Sequence, residues 1–177
     1  MKMSDEVKQE EEVEQAVCAV CGHDANVEEM VPDEGEVKEY VRCVLGGQPF
    51  TKEYKVFNNT LNIKFRALTS KQSDQLNALL SQLFRDKSDA ETARLLDKAA
   101  KYKLAFYLAA MGGDVYEPPS PDLNLETLNT FYEERLGNTN SSMIDLLVNV
   151  LVKFVRLQKT LVETGLDQDF WKGAGVH

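Results

Sequence analysis

Histidine is nearly absent from this 177-residue chain, which has two, His23 and the final residue, His177. That scarcity leaves no Ser/His/Asp or Cys/His set for nucleophilic catalysis, because Cys21 and His23 are neighbours in sequence rather than a placed dyad. Neither a Walker loop nor a G-x-G-x-x-G occurs, and the diglycines at 46–47 and 112–113 read as helix ends. Carboxylates are plentiful, but they fall in N-terminal runs or on outer helix faces, so no buried pair for acid–base work can be nominated. These absences predict a non-enzymatic protein.

Long apolar runs are also missing. The best stretch, Met143 to Leu157, is broken by Asp145, Asn149, Lys153 and Arg156, which makes it an amphipathic helix rather than a membrane span. The first fifteen residues, MKMSDEVKQEEEVEQ, are acidic where a secretory signal would be basic and then apolar, so an intracellular protein without membrane contact is expected. Ten glycines and five prolines leave little room for a long linker.

What is present begins with charge. Residues 1–39 hold 13 acidic and 3 basic side chains, so the formal charge of −9 lies entirely in that leader. Residues 42–103 are locally basic, with 12 basic and 6 acidic side chains. Acids are interspersed among those bases and no nucleic-acid motif accompanies them, so the pattern reads as a solvated surface and nucleic acid is not an expected partner.

Hydrophobic periodicity then predicts a mainly α fold. An acidic, flexible leader over 1–32 precedes a single α-rich domain over 33–166, and 167–177 is a tail. Asp33 opens a helix carrying Val37, Tyr40, Val41, Val44 and Leu45, which Gly46-Gly47 closes. The one convincing β segment is a hairpin over about 50–68, turning at Asn58-Asn59, with Leu61, Ile63 and Phe65 on its apolar face and Asn62, Lys64 and Arg66 on its wet one.

A lone hairpin is marginal in water, so that apolar face is expected on the following helix, 70–86, or in another chain's sheet. That helix has Leu76, Leu79, Leu80, Leu83 and Phe84 at helical spacing. A Ser88/Glu91 capping box opens a further helix running to Met111, and after the proline-rich VYEPPSPDLN two more follow over 125–136 and 142–164. The expected architecture is thus a hairpin packed on four to five helices.

Two constellations carry candidate sites. Cys18 and Cys21 have the C-x-x-C spacing of half a zinc site, which His23 and Cys43 could complete as a structural zinc. The alternative is three reduced thiols with no cofactor, Cys43 being a small core residue. The second constellation is a binding surface. Leu61, Ile63 and Phe65, together with Phe154 of the most apolar helix and the Phe170–Trp171 pair of the tail, are the expected partner-binding side chains, and the hairpin's free edge invites self-association.

The segment VFNNTLNIKFRALTSKQSDQL, a hairpin ending in the phrase F-R-x-L-T and leading into a Leu-rich helix, resembles the small tail-assembly proteins of tailed bacteriophages. EYVRCVLGGQPFTKEYKVF is similar to the same group, and the likeness covers residues 36–84. It implies a tail assembly chaperone that binds the tape measure protein and keeps it soluble in the cytoplasm of the bacterial host. It equally implies a structural subunit of the tail tip or baseplate hub, carried in the virion. The C-x-x-C leader departs from the simplest chaperone pattern and fits a third role, a zinc-dependent adaptor or regulator.

Overall fold

The computed structural model describes residues 32–167. Asp33 caps the first helix, α1 (Glu34–Leu45), by accepting from the Glu36 amide. The helix closes in a Schellman motif: Gly47 takes φ +65°, its amide bonds Val44 O, and the Gln48 amide bonds Cys43 O. Of the expected apolar stripe only Val37 is fully buried, whereas Val44 and Leu45 project into solvent.

Strands β1 (Thr51–Val56) and β2 (Leu61–Arg66) form the predicted hairpin, with Tyr54 opposite Ile63. Its turn holds Phe57, Asn58 and Asn59 at positive φ and closes with a 3.0 Å bond from the Thr60 amide to Phe57 O. Two central residues at positive φ match the right-handed strand twist, and asparagine tolerates that conformation best after glycine. Thr69 with Gln72, and Ser88 with Glu91, then form complete capping boxes for α2 (Ser70–Phe84) and α3 (Asp89–Tyr107).

The sheet departs from expectation beyond this point. The α3 helix stops at Tyr107 rather than Met111, and Leu108–Met111 becomes β3, paired antiparallel with β2 so that Phe65 faces Leu108 and Ile63 faces Met111. A short β4 (Asp114–Val115) completes a four-stranded sheet in the order β1-β2-β3-β4. Gly112 and Gly113, at φ +61° and +106°, are therefore the turn of a second hairpin and not a helix cap. Pairing with β2 satisfies a row of backbone groups that a longer α3 would leave bare, which outweighs the helical pattern of the segment. Among the described residues the free edges are those of β1 and β4, not β2.

Helix α4 (Leu128–Leu136) begins three residues later than expected, because Asn124 Oδ1 accepts from the Glu126 and Thr127 amides and holds 124–127 as a turn. Helix α5 (Ser141–Leu166), capped by Asn140, runs through Gly165 to Asp167. Gly165 lies where a Cβ would come 3.2 Å from Val41 Cγ2, so it admits α1 against α5.

Two apolar clusters hold these elements. The first centres on Phe154, which stacks parallel to Phe50 at 6.3 Å and meets Phe65, Tyr54 and Tyr107 at 5.7, 6.5 and 6.2 Å. The second joins Leu76, Leu79 and Leu80 of α2 to Ala99, Tyr102 and Phe106 of α3 and Leu128 of α4. The hairpin's apolar residues thus pack on α5, not on the Leu76–Phe84 helix. α3 separates the clusters, turning Leu104 and Ala105 to the first and Tyr102 and Phe106 to the second.

Candidate functional site

Where the start of β2, the β3–β4 turn and the first turn of α5 converge, the surface opens into a groove of about 350 Å³. Leu61, Met111 and Met143 give it an apolar floor, and Asp114, Asn138, Thr139 and Asn140 give it a polar rim. The glycine turn makes this close approach feasible. The Gly112 amide bonds Asn62 O at 3.1 Å, and a Cβ on Gly112 would meet Leu61 Cδ1 at 3.4 Å in a backbone conformation that side chains rarely adopt. On the other wall, Asn140 Oδ1 accepts from the Met143 amide at 2.8 Å and sets where α5 begins. Two unbranched thioether side chains beside a leucine form a floor that adjusts to different apolar side chains.

Side-chain donors hold the irregular connection from 116 to 127. Arg66 is 92% buried even though alternation along β2 assigns it to the wet face, because this connection crosses over it. Its Nη2 donates to the carbonyls of Leu108, Tyr116 and Glu117 at 3.0, 2.5 and 3.0 Å. Arg135 donates to the same Glu117 carbonyl at 2.6 Å, with its guanidinium 4.0 Å from the centre of the Phe131 ring. Burial lowers the pKa of both arginines, opposed at Arg66 by the Glu117 charge and reinforced at Arg135 by the neighbouring Arg66 charge. Gln75 of α2 donates to the carbonyls of Ser120, Pro121 and Leu123 at 2.8–3.2 Å. Three side chains from three elements thus make six contacts to five carbonyls along a segment with little ladder pairing of its own.

The residues predicted for a partner surface divide. Leu61 lies in the groove, half exposed, while Ile63, Phe65 and Phe154 are closed inside the chain's own core. Phe170 and Trp171 lie outside the described residues, as do Cys18, Cys21 and His23. Cys43 sits on α1, half-buried against the first cluster, and among the described residues no group of three His, Cys, Asp or Glu side chains is placed to hold a metal ion.

Sequence reasoning missed Met111, Met143, Gln75 and Arg135, whose roles depend on chain segments distant in sequence. Arg66 could have been noticed as a charge directly following Phe65 at a strand end. No helix among the described residues is long and apolar enough to cross a membrane. No family model, curated protein or solved structure matches the chain.

Proposed function

We propose that this chain is a non-enzymatic, self-associating assembly chaperone of a bacteriophage tail, which keeps apolar helical segments of the tape measure protein soluble in the bacterial cytoplasm. The observation that carries this reading is the methionine-floored groove, whose Leu61, Met111 and Met143 suit a succession of differing apolar side chains from one client. Its polar rim, with Asp114, Asn138 and Asn140, can bond the ends of a client segment or water while the floor takes its apolar face. The hairpin running through F-R-x-L-T into a Leu-rich helix adds the resemblance to tail-assembly proteins.

Co-expression with the candidate tail proteins, followed by affinity capture on the tagged chain, tests the proposal. Retention of the tape measure protein, and its recovery in the soluble fraction only when the chain is present, is the expected result. Retention of no tail protein overturns it. Mass spectrometry of purified virions separates chaperone from subunit, because a chaperone is absent from mature particles whereas a tail-tip or baseplate component is present at fixed copy number.

A further inference from the structure

The long helix α5 has a second face that its own core does not use. Ile144, Leu147, Leu151, Phe154, Leu157 and Leu161 face inward. To one side of them, Val148, Val152, Val155, Lys159, Val162 and Leu166 follow one another at intervals of four, three, four, three and four residues. That is a 3.5-residue period, the spacing of a seam between two helices, sustained over more than two heptads. Val148 still packs against the first cluster, but the apolar members beyond it are open to solvent where a core helix would be dry: Val152, Val155 and Val162 are 43%, 41% and 42% exposed, and Leu166 is 78% exposed.

The charges along this stripe choose its occupant. Arg156 and Glu163 border it on the same side, and Lys159 sits within it, bonded at 3.8 Å to Glu163. A parallel copy in register would set Lys159 against Lys159, which is repulsive in a partly dry seam, and would carry Arg156 and the partner copy's Glu163 to opposite flanks where they cannot pair. An antiparallel copy sets Val155 against Leu166 and Lys159 against Val162. It also places the partner copy's Glu163 beside Arg156 and Lys159, so unlike charges meet on both sides of the two-fold axis. A single lysine within an otherwise apolar seam is a device that fixes register and orientation.

We infer that two copies of this chain associate through an antiparallel α5–α5 seam made by Val155, Lys159, Val162 and Leu166, oriented by Arg156 and Glu163. This deepens the self-association in the proposed function and is independent of the client groove, so a failed capture of tail proteins leaves it standing and a monomeric chain leaves the groove standing. The interface is isologous, as a two-fold dimer requires.

Sedimentation velocity on the full chain over a range of concentrations tests the seam. The wild type should move from monomer to dimer as concentration rises. Val155→Glu with Val162→Glu should weaken dimerisation at least about tenfold, with unchanged circular dichroism and, at concentrations where both proteins are monomeric, unchanged Tm, since both side chains already face solvent. Arg156→Glu alone and Glu163→Arg alone should each weaken it, and the two together should restore it. A wild type that stays monomeric throughout, or a dimer indifferent to the Val155/Val162 pair, overturns the seam. Failure of the charge swap to restore association overturns the antiparallel order.

Discussion

Phe65 of β2 and Phe154 of α5, both wholly buried, lie with ring centroids 5.7 Å apart and tie the sheet to the longest helix. Because Phe50, Tyr54 and Tyr107 also meet the Phe154 ring, its removal opens a cavity bounded by β1, β2 and α3 that none of them can close alone. Phe154→Ala should therefore cost about 3–5 kcal/mol, measured by urea unfolding. Leu96→Ala, at an exposed position of α3, should change stability by no more than about 0.5 kcal/mol.

The Tyr54 hydroxyl is enclosed without a hydrogen-bond partner, and burial pushes its pKa up to about 12. Tyr54→Phe removes a polar atom that gains nothing from burial, so it should leave stability at pH 7 unchanged or raised. The pH dependence has a definite sign. Between pH 10 and 12 the unfolded tyrosine has lost its proton and the folded one retains it, so stability falls as pH rises through that window. Thermal unfolding from pH 9 to 12 should show this decline, and Tyr54→Phe should make it shallower. A slope should remain in that variant, because burial also raises Tyr40 and Tyr107.

Arg66 exchanges water for three carbonyls, two on the connection it supports and one on β3. Arg66→Met keeps much of the side-chain volume but leaves those carbonyls unmet, and should destabilise by roughly 3 kcal/mol. Arg66→Lys should rescue part of this, since all three contacts come from the one nitrogen Nη2 and an ammonium also carries three donors, although on a shorter side chain.

Gln75 holds the connection from the opposite end, so Gln75→Ala should free residues 120–123 while leaving the two cores intact. The expected cost is about 1 kcal/mol. The clearer readout is limited proteolysis, where cleavage near Ser120 to Leu123 should accelerate while the far-UV spectrum stays the same.

Within the groove, Met143→Lys should lower retention of the tape measure protein in the capture assay without unfolding the chain. Val115→Lys, on the exposed β4 outside the groove lining, is the matched control and should leave retention unchanged.

Local physics made much of this protein legible in its sequence. The Asp33 cap, the Ser88–Glu91 capping box, the Asn58–Asn59 turn and the leucines of α2 are each decided within a few residues, by a side chain meeting its own backbone or by one helical face. Tertiary structure decided the rest. Leu108–Met111 became a strand because β2 had an edge to satisfy, Arg66 became buried because a connection fifty residues later crosses it, and Phe65 found α5 rather than α2. The groove is of the same kind: Leu61, Met111 and Met143 are separated by dozens of residues, and no periodicity links them. Contacts between distant segments are governed by the total burial and hydrogen bonding of the whole chain, which no short window of sequence contains.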